Sequence, residues 1–304
     1  PDRPLEIFFE IKSNLRRDQV MALADGGVVD VQPGIESFSD GVLKLMDKGA
    51  TGLGQIQFIK WALESGIGVV YNLIIRNPGE QAAWYRDMAD LLPSLVHLPP
   101  PSGMVAMHLE RFSPYHSRPE KFGIRNIRPM PYYRDIYPDP QVDLDRIAYV
   151  FQYDHDFFAD ADLLAAQRQC AQWVDHWKKT WKSQPASYVE REGTVVITDH
   201  RQGSTQRSAV LRGPGAQIFR YLDQVRSIDS ICDHFSHIDR TLLQTLLSTW
   251  LHHRYIARSG DRYLSVLPCR ERRPIEPRDE TAAAAARKSG TARTRLPLLA
   301  GPTS

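Results

Sequence analysis

A chain of 304 residues with a hydrophobic share of 42% can bury the cores of two domains, which excludes a disordered protein. Its 38 Lys and Arg residues against 36 Asp and Glu leave a net charge of +2, so no overall field favours nucleic acid or an anionic membrane. Three distant cysteines, Cys170, Cys232 and Cys269, exclude a metal site by their spacing and fit a reducing compartment. The sequence contains no pattern typical of a membrane span or a signal peptide, so we expect a cytoplasmic protein.

The first predicted element is a strand over residues 5–12. Side chains of a strand alternate between its two faces, which gives this one an apolar face and a charged face. The apolar face holds Ile7, Phe9 and Ile11. On the inner side of a parallel barrel, charges are tolerated only when they are paired or bound to a ligand. Glu10 and Lys12 are therefore either a structural ion pair or ligand contacts.

A Pro-Gly turn follows the second predicted strand, residues 28–32, which a short helix and two glycines precede. The turn places an acid and a hydroxyl just past the strand, ahead of Ser39, which can cap the next helix. It is either ordinary strand punctuation or the edge of a ligand site. Its candidate ligand contacts are Gln32, Gly34, Glu36 and Ser37.

Strands and helices continue in units of about 30 residues. Two helices follow Ser39, a strand is predicted over residues 68–75, and Pro78-Gly79-Glu80 opens another helix before a strand over residues 104–109. Asn72 is the polar residue on its face of the third strand. The repetition predicts an α/β fold in which a parallel sheet curls toward a barrel, with about four strands, too few to close one.

Aromatic, proline and arginine residues then dominate residues 111–140, which we predict to be a long ordered loop at the barrel rim. Rigid aromatic rings suit a loop that covers a substrate, and simple packing over the rim is the alternative. The candidate contacts are Tyr115, His116 and Tyr133. A helix over residues 159–182 follows, and its tryptophan stripe is explained by core packing, with cofactor stacking on Trp173, Trp177 or Trp181 as the alternative.

A second domain is predicted over residues 185–268, with a hairpin, three helices and a terminal hairpin in the order of a small winged helix. Binding of DNA needs basic residues on the third helix, and residues 242–250 carry no charge. The shape is similar to winged-helix elements that hold leader peptides by strand addition, and a plain accessory domain is the alternative. Residues 269–304 have too little apolar surface to order, so we expect a disordered tail.

Three segments together resemble the second half of a radical SAM barrel: residues 8–14, residues 46–49 and residues 72–80. The resemblance spans roughly residues 5–155, within a barrel portion that we assign to residues 1–158 and a connecting helix at residues 159–184. Within radical SAM enzymes the chain looks most like the cobalamin-dependent branch that matures ribosomally made peptides, a group of presumed C-methyltransferases. The rim segment Arg111-Phe112-Ser113-Pro114-Tyr115 resembles that branch too.

The resemblance implies a cytoplasmic enzyme that C-methylates a precursor peptide with three cofactors: S-adenosylmethionine (SAM), a 4Fe-4S iron-sulfur cluster and cobalamin. In this family the cluster reduces SAM to a 5'-deoxyadenosyl radical, and methylcobalamin delivers the methyl group. Glu10 and Lys12 would meet polar groups of SAM, and the turn from Gln32 and Gly34 to Glu36 and Ser37 would lie near its ribose and methionine portions. Asn72 and the turn containing Gly79 would lie near the adenine.

The chain departs from this family in two respects. The cluster needs three cysteines in a CxxxCxxC loop, which no segment supplies, and no cobalamin domain is visible. We therefore expect a C-terminal portion whose partners are a precursor peptide and the missing N-terminal half of the same protein, with no nucleic acid or membrane. The portion alone is predicted to be inactive. The alternatives are a non-catalytic module that recognises leader peptides and a degenerate paralogue.

Overall fold

The first part of the chain alternates strands and helices, as its repeating pattern predicts. A computed structural model describes residues 6–270, which all belong to one compact unit; residues 1–5 and 271–304 lie outside this description. The elements are β1 (Ile7–Ile11), α1 (Arg17–Asp25), β2 (Val28–Pro33), α2 (Asp40–Leu45), α3 (Gly52–Glu64), β3 (Gly68–Val69), β4 (Leu73–Ile75), α4 (Ala82–Leu91) and β5 (Met104–Ala106).

The strands of this part are parallel and pair in chain order. One sheet has the order β1-β2-β3, and β4 pairs with β5. The backbone N–H of Ile74 donates to the carbonyl of Glu36 at 2.8 Å, which joins the two sheets beyond the end of β2. The described part of the chain is therefore a mixed α/β fold with small sheets and no closed barrel.

Two helices of this layer meet at a position that requires glycine. Thr51 caps α3 by accepting a hydrogen bond from the N–H of Gly54, and Asp40 accepts one from Gly52 at 2.6 Å. A Cβ on Gly52 would lie 1.9 Å from the carbonyl oxygen of Phe38, so any larger residue would push the chain before α2 away from α3.

Three strand predictions were wrong in detail. Phe9 does not share a buried face with Ile7: Phe8 is 52% and Phe9 46% exposed, and within residues 6–270 β1 pairs with β2 alone. The strand predicted over residues 68–75 breaks between β3 and β4, and the one over residues 104–109 breaks after β5. At each break the chain changes the strand with which it pairs. The alternation of apolar and polar residues within a segment does not show which strand it pairs with, so the sequence pattern did not predict the breaks.

The segment predicted to be a rim loop instead forms part of a small antiparallel sheet. Its elements are β6 (Leu109–Glu110), α5 (Pro114–Ser117), β7 (Arg125–Pro129), α6 (Tyr132–Ile136), α7 (Leu144–Ile147) and β8 (Val150–Asp154), with the strand order β6-β8-β7. A separate hydrophobic cluster of Leu109, Ile124, Ala148 and Phe151 stabilises it. Below, this part of the chain is called the rim sheet.

A long helix, α8 (Ala161–Thr180), packs along α4 and leads to the C-terminal elements. Asp160 caps it by accepting from the N–H of Leu163 at 3.0 Å. Trp177 is 1% exposed, and its indole N–H donates to the carbonyl of Leu98 at 2.7 Å. Burial and this hydrogen bond account for Trp177 as a core residue, in agreement with the packing interpretation of the stripe. No helix in residues 6–270 combines the length and apolar character that crossing a membrane requires.

The remaining elements form two antiparallel sheets and three helices. They are β9 (Ala186–Arg191), β10 (Thr194–Asp199), β11 (Ser208–Leu211), α9 (Gly213–Tyr221), β12 (Arg226–Ser227), α10 (Ile228–His234), α11 (Arg240–His252), β13 (Ile256–Ser259) and β14 (Arg262–Ser265). The strand orders are β11-β10-β9 and β12-β14-β13, so the predicted first hairpin is a sheet of three strands. The prediction of a disordered tail from residue 269 is wrong for Cys269, which is buried and donates its backbone N–H to the carboxylate of Glu64. The rest of the predicted tail from residue 271 lies outside the described residues.

Buried charges hold these C-terminal elements against α3. The ammonium of Lys60 is fully buried, lies 3.0 Å from the carboxylate of Asp223 and donates to the carbonyl of Ser265 at 2.7 Å. Arg17 bridges the same Asp223 to Glu64, with 2.5 Å contacts to both. Each buried charge in this cluster has an opposite charge beside it, which offsets the cost of its burial. The charges come from α1, from α3 and from the chain after α9, so the cluster joins these three parts.

A histidine adds a second link between the two parts. His97 is 5% exposed, and its ring nitrogen Nε2 lies 2.9 Å from the carbonyl of Val266, which follows β14. Burial lowers the pKa of His97 to about 3, with the nearby charge of Arg201 acting in the same direction. The imidazole is therefore neutral at physiological pH and donates its Nε2–H to Val266.

We expect Lys60→Met to lower the free energy of unfolding by about 3–5 kcal/mol, because it removes one partner of a buried ion pair. Lys44→Met, at an exposed position on α2, is the matched control and should change stability by less than about 0.5 kcal/mol. Urea denaturation followed by circular dichroism measures both. Equal stability of the two variants would contradict the structural role of Lys60.

We also expect His97 to make the fold sensitive to acid. Histidine in the unfolded chain binds its proton near pH 6.5, whereas folded His97 binds it near pH 3. The contribution of neutral His97 to the free energy of unfolding is therefore complete above pH 6.5 and is lost as the pH falls toward 3. Between about pH 7.5 and 4.5 this loss amounts to about 2–3 kcal/mol. Denaturation of wild type and His97→Gln across this range measures it. The glutamine variant should lose less stability on acidification, and equal losses would refute the assignment.

Candidate functional site

The predicted ligand contacts begin where β1 and β2 end. Glu10 lies opposite Gln32 in the parallel register, and the N–H of Gly34 donates to the carbonyl of Ile11 at 3.2 Å. The side chains of Glu10, Lys12 and Gln32 are exposed. Since solvent surrounds Glu10 and Lys12, burial does not force them to pair, and both groups are accessible to a ligand.

The acid and the hydroxyl of the Pro-Gly turn have different surroundings. The carboxylate of Glu36 lies 2.9 Å from the ammonium of Lys48, and both groups are partly exposed. Ser37 is 2% exposed; its hydroxyl accepts from the N–H of Ser39 at 3.1 Å and lies 4.0 Å from the sulfur of Met88. Ser39 occupies the N-cap position of α2 without a capping bond from its own side chain. Ser37 therefore orders the turn, whereas Glu36 faces outward.

The remaining predicted contacts lie on both sides of β4. Asn72 is half-buried in the break just before this strand. Gly79 lies in the turn after it with a φ of +95°, and a Cβ there would be 3.2 Å from a methyl group of Leu45, so packing explains this glycine. Gly34 differs, because a Cβ there would meet nothing within 4 Å and the space beside its backbone is open.

The turn after β4 also contains a buried carboxylate. Glu80 is 8% exposed and accepts hydrogen bonds from the backbone N–H of Arg76 at 2.9 Å, the amide of Asn77 at 2.7 Å and the amide of Gln167 at 2.8 Å. Burial raises the pKa of Glu80, and the hydrogen bonds from Asn77 and Arg76 oppose this rise. Arg76 has a φ of +66°, a strained conformation that the bond to Glu80 helps to hold.

Aromatic residues enclose this turn. The guanidinium carbon of Arg76 lies 5.7 Å from the ring centre of Phe158, and burial raises the pKa of Tyr153 and Tyr115, with the charge of Glu80 raising both further. The rim sheet and α8 thus cover the carboxyl end of β4. The turn forms a partly closed polar site at the carboxyl end of β4.

The rim candidates pack within the rim sheet. Tyr115 has its ring centre 4.6 Å from that of Phe122, and the ring of His116 lies 4.8 Å from that of Phe151. The hydroxyl of Tyr133 accepts from the backbone N–H of Tyr149 at 2.9 Å. These contacts support the packing interpretation, since each of the three side chains has a partner in the rim sheet.

Sequence reasoning missed Gln167 as a member of the site. Gln167 lies on the buried, mostly apolar stripe of α8, where a polar amide departs from the pattern. That mismatch was the available signal, because a polar side chain on the core face of a helix needs a partner in the core. The partner is Glu80, 87 residues earlier in the chain.

The three cysteines do not fit an iron-sulfur cluster. Cys170 is buried, its thiol donates to the carbonyl of Tyr85 at 3.0 Å, and burial raises its pKa to about 12, so it stays protonated. Cys269 is buried and Cys232 half-buried. No group of three potential metal-binding side chains occurs in residues 6–270.

Comparisons with protein-family models, with curated proteins and with solved structures found no match. The assignment of function therefore depends on the strand order, the polar residues at the strand ends and the free surfaces of the C-terminal elements.

We expect Glu80→Gln to lower the free energy of unfolding by about 1–3 kcal/mol. The carboxylate of Glu80 accepts three hydrogen bonds, and the NH2 group of a glutamine would face one of these three N–H donors without an acceptor between them. Glu36→Gln is the matched control, because its pair with Lys48 is partly exposed and contributes less than about 1 kcal/mol. Guanidinium denaturation at neutral pH compares the two. A Glu80→Gln protein as stable as the control would show that the buried network does not stabilise the turn.

Proposed function

We propose that this chain is part of a radical SAM enzyme that C-methylates a ribosomally synthesised precursor peptide. The observation that carries the proposal is the consecutive order of the parallel strands, since sheets wound in one direction are typical of β/α barrels. Such barrels bind ligands at the carboxyl ends of their strands, and most of the predicted contacts lie there. The family resemblance of the sequence selects radical SAM chemistry among the reactions that such a fold supports.

The polar groups at the strand ends suit the charged methionine portion of SAM. In this proposal Lys12 binds the carboxylate of SAM, while Glu10 and Glu36 bind its amino group or its ribose hydroxyls. Open space beside Gly34 allows close approach of the ligand to the backbone. In the family that the sequence resembles, bound SAM supplies a 5'-deoxyadenosyl radical. Ser37 acts indirectly by ordering the turn, because its hydroxyl is buried.

Neither the cluster nor cobalamin is assigned to residues 6–270. The described cysteines do not converge on one site. The proposal is that both are held by protein outside residues 1–304, so that residues 1–304 alone are inactive. Anaerobic reconstitution with iron and sulfide should then leave less than one cluster per chain, and a stoichiometric cluster would contradict this part of the proposal.

The SAM site is tested by equilibrium dialysis of labelled SAM against the chain. Lys12→Ala and Glu36→Ala should each weaken binding by about fivefold or more, because each removes a charge that faces the ligand. Lys44→Ala, exposed on α2, is the control and should bind like wild type. The proposal fails if wild type shows no binding at about 1 mM SAM, or if all three variants bind equally well.

A second candidate function is recognition of a leader peptide by the C-terminal elements. The order α9, β12, α10, α11, β13, β14 with the sheet β12-β14-β13 is that of a winged helix, which supports the resemblance to leader-binding modules. Residues 241–251 of α11 carry no charge, which disfavours contact with DNA phosphates. The turn of the β13–β14 hairpin is also engaged within the chain, where the hydroxyl of Ser259 donates to Asp40 at 2.7 Å.

The edge of β11 suits addition of a peptide strand. In the described residues β11 pairs with β10 alone, and Val210 is 46% exposed. Asp199 on β10 lies opposite Arg207, and its N–H donates to the carbonyl of Arg207. These two residues therefore form a hydrogen-bonded pair of the antiparallel ladder. Hydrogen-bonded and non-hydrogen-bonded pairs alternate along the ladder. The backbone groups of Ser208 and Val210 therefore point to the free side, where a peptide can pair with them.

We expect Val210→Pro to abolish strand addition without breaking the β10–β11 ladder, because proline removes a donor that faces outward. Val210→Thr keeps this donor and is the matched control. Labelled leader segments of ribosomal precursor peptides are titrated into the full chain and followed by fluorescence anisotropy. Binding should weaken about tenfold or more in the proline variant only. Equal binding by both variants, or no binding to wild type, would reject leader recognition at β11.

A further inference from the structure

A groove outside both proposed sites lies between α8 and the turn that joins β10 to β11. It consists of two adjoining cavities of about 550 and 290 Å³. Both are lined by Pro93, Gln202, Gly203 and Arg254, so they form one continuous depression. None of these residues belongs to the strand ends or to the free side of β11, so the groove needs a separate explanation.

One wall of the groove is a single face of α8. Gln169, Gln172, Trp173 and His176 follow the spacing i, i+3, i+4, i+7, which places them side by side. The two glutamines are exposed, and the indole of Trp173 is half-buried with its ring centre 5.8 Å from that of His176. The wall therefore offers two exposed amides next to an aromatic surface.

The opposite wall is fixed by buried hydrogen bonds. Arg201 is 3% exposed, pairs with Asp199 at 2.8 Å and donates to the carbonyl oxygens of Ser94 at 2.9 Å and Arg254 at 2.8 Å. The backbone N–H of Gln202 donates to the side chain of Gln184 at 2.7 Å. Because these bonds span several elements, the groove is formed before any ligand arrives, which lowers the entropic cost of binding.

The charges of the lining favour an acidic ligand. Burial alone would raise the pKa of Asp199, but the hydrogen bonds and charge of Arg201 outweigh it and lower that pKa, so these two charges cancel. The remaining ionisable lining residues are Arg254, His176, His252 and His253. Arg254 is exposed and forms no ion pair within residues 6–270. The groove thus has one free positive charge and no free carboxylate among its lining residues.

The amides narrow the ligand class further. A glutamine side chain offers both a donor and an acceptor, as a peptide backbone requires, whereas a chain of phosphates uses donors and cations only. A single free arginine is too little charge to hold a nucleic acid backbone at physiological salt. The indole of Trp173 gives an apolar side chain of the ligand a surface to pack on.

We propose that this groove binds an extended acidic segment of polypeptide. The glutamines of α8 and Gln202 hydrogen-bond its backbone, Trp173 packs against one of its apolar side chains, and Arg254 pairs with one of its carboxylates. The site is additional to the SAM edge and to strand addition at β11, and it depends on neither.

Three labelled probe peptides of about 12 residues test this proposal by fluorescence anisotropy with the full chain. The first alternates Glu with Ala, Gln and Leu; the second replaces each Glu by Lys, and the third replaces each Glu by Gln. The acidic peptide should bind about tenfold tighter than the basic one, with the neutral peptide between them, because Arg254 is the free charge among the lining residues.

Variants then place the binding in the groove. Arg254→Gln and Gln172→Ala should each weaken binding of the acidic peptide by about fivefold or more. Arg240→Gln is the matched control, since it makes the same change at an exposed arginine at the other end of α11, about 20 Å away. Val210→Pro should also bind like wild type, which separates this site from β11.

The proposal is overturned if the three peptides bind equally, or if none binds wild type at about 1 mM. It is also overturned if Arg254→Gln binds the acidic peptide as tightly as Arg240→Gln does. A loss of binding in Val210→Pro alone would assign the peptide to β11 instead.

Discussion

The buried ammonium of Lys60 is the constraint on which the arrangement of the chain depends. An unpaired charge in the protein interior costs several kcal/mol, so α3 packs only against elements that bring an acid and carbonyl acceptors to this point. Asp223 and the carbonyl of Ser265 meet this need, and Arg17 connects the same acid to Glu64. The C-terminal elements are thereby fixed on the helical layer of the parallel sheet.

This attachment decides which surfaces remain free for function. The β13–β14 hairpin packs on α3 and is not available as a DNA-contacting wing. The strand ends at Glu10 and Lys12, the free side of β11 and the groove along α8 stay open. A protein that modifies a peptide needs a reaction site and surfaces that hold the peptide, and this arrangement places candidates for both on one body.

Local sequence patterns predicted most elements because the forces that form them act over a few residues. The helix expected over residues 159–182 forms as α8 because an apolar stripe and the Asp160 cap both lie within it. Elements that depend on a distant neighbour were predicted less well. Phe9 is exposed where alternation along β1 predicts an apolar face, and the rim sheet forms because β8 pairs with both β6 and β7.

The sequence by itself determined the alternation of strands and helices in the first part of the chain, the helix α8, the polar residues at the strand ends and the uncharged face of α11. Only the tertiary structure decided that Glu80 meets Gln167 across 87 residues, that Lys60 meets Asp223 across 163, and that α8 and the β10–β11 turn enclose a groove. The physical reason is the range of each effect. Periodicity and capping involve neighbours in the chain, whereas a buried charge or amide is satisfied by whichever distant element packs against it.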